Sequence, residues 1–414
     1  MSSSFQPGDL GPMDPVKFQK LVQQKTDEVG SSPEFTPEIE PFRVPAASSD
    51  LALELLDEAL ERRLTGGELL ILCEEASLHD LGRTAHQLRL RRSDPEKVTY
   101  IVDRNITYTN VCYADCGFCA FNRHQGDEDA YMLTQDEILA KCRTVIEAGG
   151  NQILLQGGHH PKERLPYYEE MLHAIKADCP TMWIHGFSPS EIQHFARLNK
   201  LGEMEVILRL KEAGLDSIPG GGAEILSDRV RRIMAPGKAM SDEWIGIMEK
   251  AHQAGLPTTA TMMFAHIESY AERVEHFLRV RESQDRTGGY TAFIPWTFQP
   301  GGTPMMQIPE IRAQVEAHGY LGSVDYLRTL ALSRIALDNF RNIQASWVTQ
   351  GKAVGQLTLY YGANDLGSLM MEESVVSAAG ISHPLSRDDL DEMITGAGFT
   401  PALRDNGYNL VDGG

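Results

Sequence analysis

The chain has 414 residues, 38 basic and 58 acidic side chains and a net charge of -20, with 42% hydrophobic and 23% charged residues. This is a globular rather than a disordered composition, and the acidic excess argues against a nucleic-acid partner, whose phosphates need basic surface. No run reaches the ~18 apolar residues of a membrane helix, and the opening segment 1–15 lacks the basic start and apolar core of a secretion signal, so the expected setting is cytoplasmic, away from any membrane.

Residues 1–49, rich in Ser, Pro, Asp and Glu, read as a flexible tail. Residues 50–96 read as a helical lead-in: a leucine-periodic segment from Leu51 to Leu60, a second from Glu68 to Glu75 after Gly66-Gly67, and a third from Leu81 to Leu90. Beyond Pro95 the texture becomes β. Val98–Val102, Ile106–Thr109, Ile153–Leu155, Trp183–Ile184, Asp216–Ile218, Thr258–Phe264, Tyr290–Pro295 and Asn342–Trp347 are strand candidates, and Leu357–Tyr361 is a further one. Amphipathic stretches separate them, among them Thr134–Ala148, Glu203–Ala213 and Ala271–Asp285. Thr134-Gln-Asp-Glu137 and Ser188-Pro-Ser-Glu191 are capping boxes, and Ala148-Gly149, Ala213-Gly214 and Ala254-Gly255 are helix stops.

Strand and helix alternate at about 30 residues, which makes an α/β chain with a parallel sheet. An open doubly wound sheet would carry a Gly-x-Gly-x-x-Gly loop early, and none is present. A closed (β/α) barrel over residues 97–365, with a C-terminal extension of 366–414 packed on it, is the predicted architecture. Polar residues and glycines follow the strands, where such barrels build their sites.

Three of the six cysteines, Cys112, Cys116 and Cys119, fall within eight residues in a C-x3-C-x2-C spacing. Three thiolates on one tight loop can each hold one iron of a four-iron cluster and leave the fourth iron open to a small molecule. A zinc site that stabilises a binding protein is the competing reading, with His124 as fourth ligand, but no second C-x2-C unit exists to complete the usual pattern. Cys73, Cys142 and Cys179 are scattered and read as buried apolar groups.

At this loop, with Phe118 at the aromatic position, the chain resembles the radical S-adenosylmethionine (SAM) superfamily. The resemblance implies a radical SAM (β/α) barrel, a [4Fe-4S] cluster whose open iron chelates SAM, and a 5'-deoxyadenosyl radical that abstracts hydrogen from substrate. Asn105–Asn110, Cys119-Ala-Phe121, Leu155–Gly158 and Ala213–Glu224 are similar to one group within it, which serves the futalosine route to menaquinone and the making of deazaflavin. Thr259–Met263 and Gly288–Pro300 look most like its cyclase branch. The alternatives are its bond-forming synthases, for aminofutalosine or for deazaflavin. The resemblance further implies a nucleoside-like small-molecule substrate and an electron donor such as flavodoxin or ferredoxin.

The remaining site candidates sit at strand ends. Gln156, Gly157 and Gly158 stand where the superfamily often has Gly-Gly-Glu beside the methionyl part of SAM; the plainer reading is a tight turn. Glu224 follows three glycines and either binds ribose hydroxyls or caps a helix starting near Leu226. His185 is a candidate ribose or substrate contact, assigned with Glu224 to catalysis. Ser188 is an N-cap and a cofactor contact. His160 and His266 are lesser candidates, and His173, His194, His252 and His276 read as helix-surface residues. Met262, Met263, Trp296 and Phe298 pack a core or keep a radical dry. Arg123, Arg229 and Arg328 are candidates for gripping a benzoate.

Overall fold

The computed structural model describes residues 44–319, 322–372, 375–380 and 383–411. The predicted tail therefore lies, up to residue 43, outside the described residues. The lead-in is three helices, Asp50–Glu58, Gly66–Glu75 and Leu78–Arg92. Ser49, Thr65 and Ser77 cap them by accepting backbone N–H groups. Their apolar faces, with Leu56, Leu72 and Leu81 fully buried, close against helices Tyr270–Thr287 and Gly322–Ala336. Arg328, in the second of these, reaches back to the carbonyls of Cys73 and Ala76.

Strands β1 (Lys97–Ile101) and β2 (Asp103–Thr107) form one run broken only at Val102. They are followed by β3 (Gln152–Gln156), β4 (Trp183–Gly186), β5 (Thr258–Phe264), β6 (Tyr290–Thr297), β7 (Asn342–Ile343) and β8 (Asp365–Ser368). Every pairing among them is parallel: β2 with β3, β3 with β4, β5 with β6, β6 with β7. Single bridges complete the ring. His185 meets Ser217 and Ile218 meets Thr258, so residues 217 and 218 are all that remains of a fourth strand; Gln344 meets Asp365, and β8 returns to β1. The barrel is closed, with eight strand positions.

The eighth position is not Leu357–Tyr361. That segment is helical, the end of Trp347–Leu357 and a 3-10 turn over Thr358–Tyr360. The strand falls at Asp365–Ser368, so we propose that the barrel division runs to 368 rather than 365. Thr358 and Leu359 are fully buried while Leu357 and Tyr360 are exposed, and apolar character alone does not choose between helix and strand in a short run.

Beyond helix Arg387–Gly396, strand β9 (Thr400–Leu403) pairs with the first half of β1, Lys97 opposite Thr400. The chain then turns under the barrel. Arg404 is paired with Asp365 (Nη2–Oδ1 3.0 Å), and Asn406 Nδ2 donates to Ser217 Oγ at 2.8 Å. Asp365 and Ser217 belong to the eighth and fourth strand positions, on opposite sides of the ring. Segment 404–406 thus crosses the end away from the strands' carboxyl termini and forms a floor.

Candidate functional site

The three cysteines sit on the loop that leaves β2 at the carboxyl end of the barrel. Cys112 N–H donates to Arg123 O (2.9 Å), Gly117 N–H to Met234 O (2.8 Å) and Cys119 N–H to Cys116 O (3.1 Å). Asp115 takes a left-handed φ of 48°, a conformation Asp tolerates better than most residues. Its carboxylate accepts from His124 Nε2 at 2.9 Å. Burial pushes the Cys112 thiol up to about 11 and the Cys116 thiol further, so thiolates there need a cation beside them. Three cysteines facing one cavity supply the donor set of a cluster. A lone zinc fits poorly: His124 is engaged with Asp115, and among the described residues no three Cys, His, Asp or Glu side chains converge on a single-ion position.

The turn after β3 runs under this loop. A Cβ on Gly157 would lie 2.4 Å from the Tyr108 ring, and one on Gly158 would lie 2.2 Å from Val111 O. The glycines are therefore required by close approach to the cluster loop, whatever they also offer a ligand. The carboxylate missing from this Gly-Gly run comes from the next unit. Glu191, 2% exposed, accepts from Gly157 N–H (3.0 Å), Tyr108 O–H (2.8 Å) and both the N–H and hydroxyl of Ser188 (2.7 Å each). Ser188 caps helix Pro189–Asn199 as its sequence indicates.

Glu224 is 5% exposed and adopts a φ of 39°. Its helix begins at Asp228, with Ser227 as N-cap, so Glu224 lies too far upstream to be the cap its spacing allowed. It is instead the counter-ion of Lys238 (Nζ–Oε1 3.1 Å), with Arg231 at 3.5 Å. Burial alone would lower the Lys238 ammonium; the charges of Cys116 and Glu224 outweigh it and hold it above its ordinary value. Lys238 Nζ lies 5.0 Å from the Phe118 ring centroid, a cation–π contact.

Below these groups lies a cavity of about 400 Å³ that runs down the barrel axis. The cysteine triad, Phe118, Gln156, Gly157, Gly158, His185, Ser188 and Glu224 all line it. Its wall is largely apolar, with Ile101, Leu154, Ile294 and Leu366, but Asp103, Asn105, Gln152, Thr259 and Gln344 also line it where a packed barrel would carry further branched apolar residues. Burial raises Asp103 to about 6. Burial, then the charge of Arg404, depresses His185 to about 3, so its imidazole is neutral.

Several expectations do not reach the cavity. Arg123 pairs with Asp129 and Arg229 with Glu272, both near the surface, and Arg328 is spent on the lead-in helices. His160 is a turn acceptor for the N–H groups of Lys162 and Glu163, and His266 bonds to Met263 O. Met262, Met263 and Phe298 are core, whereas Trp296 lines the cavity. Of the helix histidines read as surface, His194 and His276 are buried; His194 bridges the Tyr113 hydroxyl and His160 O. Lys238, Glu191, Asp103, Arg404 and Asn406 were missed. Glu191 was visible in its capping box. Arg404 and Asn406 had no local signal, because only β9's return to β1 carries them inward.

A (β/α) barrel with a three-cysteine loop at its carboxyl face, opening onto an axial cavity, defines an enzyme of the iron–sulfur, SAM-using class. The Radical SAM superfamily signature matches residues 106–280, and the CofH/MqnC C-terminal region matches 287–413. The chain belongs to the radical SAM superfamily, in the group that carries the CofH/MqnC C-terminal region, a family that implies a [4Fe-4S] cluster and SAM. It is 45% identical to the cyclic dehypoxanthine futalosine synthase of Streptomyces coelicolor over 84% of this chain and 85% of the other. It is 40% identical to the enzyme of that name from Halalkalibacterium halodurans, over 86% and 95%. It is 39% identical to a 5-amino-6-(D-ribitylamino)uracil–L-tyrosine 4-hydroxyphenyl transferase of Methanosarcina acetivorans, over 88% and 96%. In fold it is similar to methylornithine synthase (TM-score 0.60, 20% identity, 84% and 97% covered) and to the hydrogenase maturase HydG (0.64, 14%, 94% and 79%). Among the described residues no helix is long and apolar enough to cross a membrane.

Proposed function

We propose that this enzyme converts dehypoxanthine futalosine to its cyclic product on the futalosine route to menaquinone, by abstraction of a sugar hydrogen, closure of the sugar carbon radical onto the attached benzoate ring, and loss of one electron and one proton from the resulting ring radical. The observation that carries the reading is the cysteine triad opening onto an axial cavity that also presents polar side chains, in a chain 45% identical to a cyclic dehypoxanthine futalosine synthase. When bound, the cluster and SAM supply a 5'-deoxyadenosyl radical, the oxidant strong enough for an unactivated C–H bond.

The chain's own residues do the rest. Cys112, Cys116 and Cys119 each hold one iron. Glu191 fixes the Gln156–Gly158 turn through the Gly157 N–H, so that its backbone groups and the Gln156 amide would offer SAM a rigid edge to bind. Phe118 and Lys238 form the wall beside the cysteines, with Glu224 balancing the ammonium. Trp296 and the floor exclude water, which protects a carbon radical. Ser188 presents the capped end of its helix, and neutral His185 offers a hydrogen bond lower down. The reacting carbons belong to one molecule, so holding them in register removes much of the entropic barrier and needs no second substrate. A low-potential donor such as flavodoxin or ferredoxin supplies the electron, in the cytoplasm.

The test is anaerobic incubation with SAM, reductant and substrate deuterated at the sugar C4', followed by mass spectrometry of 5'-deoxyadenosine. Deuterium in that product is the expected result. Turnover without transfer rules out the abstraction site. Turnover of tyrosine with 5-amino-6-(D-ribitylamino)uracil instead moves the function to that of the Methanosarcina relatives.

A further inference from the structure

The floor of the cavity carries hydrogen-bonding capacity that the protein does not use. Asn105, 6% exposed and lining the cavity, makes no side-chain hydrogen bond to any described residue, and its Oδ1 is buried without a partner. The Gln344 amide, from β7's end, is likewise uncommitted among the described residues and faces the same space.

His185 is a donor of fixed orientation. Ser217 Oγ accepts from Trp183 Nε1 at 2.7 Å and from Asn406 Nδ2 at 2.8 Å. With both lone pairs filled, its own proton goes to His185 Nδ1, 2.7 Å away. The remaining proton of the neutral ring is therefore on Nε2, which has no protein partner among the described residues and lies in the cavity wall.

The charges at this depth are spent. Arg404 gives Nε and Nη2 to Asp365 and Nη1 to Asp405 O. Asp103 receives Ser368 and the Gln152 amide (2.8 Å). Two carboxylates against one guanidinium repel an anion, while free amides and an imidazole N–H suit a neutral ligand whose groups both donate and accept.

We infer that the barrel interior below the cysteines carries a polyol subsite, in which Asn105, His185 and Gln344 bind the hydroxyls of the substrate's sugar. This rests on the proposed function for the substrate's identity. The wider consequence is that the same floor accepts any ligand with a vicinal-hydroxyl chain, ribityl included.

The test is calorimetric binding to the cluster-loaded protein with SAM and without reductant, using dehypoxanthine futalosine and, as a fragment lacking the sugar, 3-acetylbenzoate. Asn105→Leu is the informative variant because it breaks no protein hydrogen bond. We expect it to weaken dehypoxanthine futalosine about tenfold, the scale of one lost hydrogen bond in a dry site, with 3-acetylbenzoate unaffected and the melting temperature not lowered. Unchanged binding of the nucleoside-like substrate, or equal weakening of the fragment, overturns the inference. Should Asn105→Leu not fold, Gln344→Leu is read by the same criteria. If the parent enzyme does not bind dehypoxanthine futalosine, the functional reading has failed. The subsite is then judged with 5-amino-6-(D-ribitylamino)uracil: binding that Asn105→Leu weakens upholds it, and no binding or no effect overturns it.

Discussion

Asp103→Asn isolates a cost that the cavity imposes on the fold. The carboxyl is 4% exposed, and burial lifts it from 3.8 to about 6. A folded-state value above the unfolded one means that the group favours folding when protonated. Its stabilising contribution is fully present below about pH 4 and is lost as pH rises through 6. At about 1.4 kcal/mol per pH unit, a carboxylate at pH 8 costs the native state about 3 kcal/mol. Asparagine abolishes that cost but turns an N–H toward the Gln152 amide that now donates to Asp103, which forfeits about 1 kcal/mol. The variant should be about 2 kcal/mol more stable than the parent in chemical denaturation at pH 8, with the gain close to zero at pH 4.5. A difference that is absent, negative or constant across that range refutes the argument.

Three further outcomes follow from geometry. Cys116→Ala should lose most iron and all SAM cleavage, whereas Cys179→Ala, which alters a buried thiol that does not line the cavity, should keep both; iron analysis and 5'-deoxyadenosine release decide it. In Gly158→Ala the new methyl must displace Val111 by about 1 Å from its 2.2 Å approach. A shift of that size beside Cys112 should cut SAM cleavage at least a hundredfold, and a near-normal rate would show that the loop is compliant. Glu224→Gln leaves the part-buried Lys238 without its carboxylate partner, so thermal unfolding should reveal a loss of about 2 kcal/mol as well as weaker turnover. Intact stability would mean that the pair is not coupled.

Where the chemistry is local in sequence, the site was readable. The cysteine spacing and the Ser188 box are local patterns, and the structure has the three cysteines on one loop and Ser188 as an N-cap, whereas the close approach that requires Gly157 and Gly158 comes from Tyr108 and Val111, nearly fifty residues upstream. Strands β5 and β6 were legible from their β-branched and aromatic runs. The fourth strand position was barely so, being two bridges at Ser217 and Ile218 rather than a ladder. The eighth was misread, because Leu357–Tyr361 is as apolar as a strand while Asp365–Ser368 is not. Asp365 is buried only because Arg404 neutralises it, and nothing local announces that pair. The same holds for Lys238, which becomes part of the site by meeting Glu224 fourteen residues away. His194 and His276 were misassigned because burial of a helix face depends on what packs against it.

The order in which the barrel can be finished is set by its floor. Lys97 pairs with Thr400 and Thr99 with Asp365, so the first strand waits for partners roughly three hundred residues downstream. Such distant pairing slows folding, and during synthesis it leaves β1 as an open edge beside an unsealed lumen, a species prone to associate with others of its kind. Helix Leu78–Arg92, whose packing partner is Gly322–Ala336, waits likewise. The two ends of the cavity therefore have separate histories. The glycine turn and its Tyr108 and Glu191 partners lie within residues 103–191, and the cysteine loop is tied down once Met234 and Met305 reach Gly117, whereas the chamber beneath them is floored only when residues 400–408 arrive.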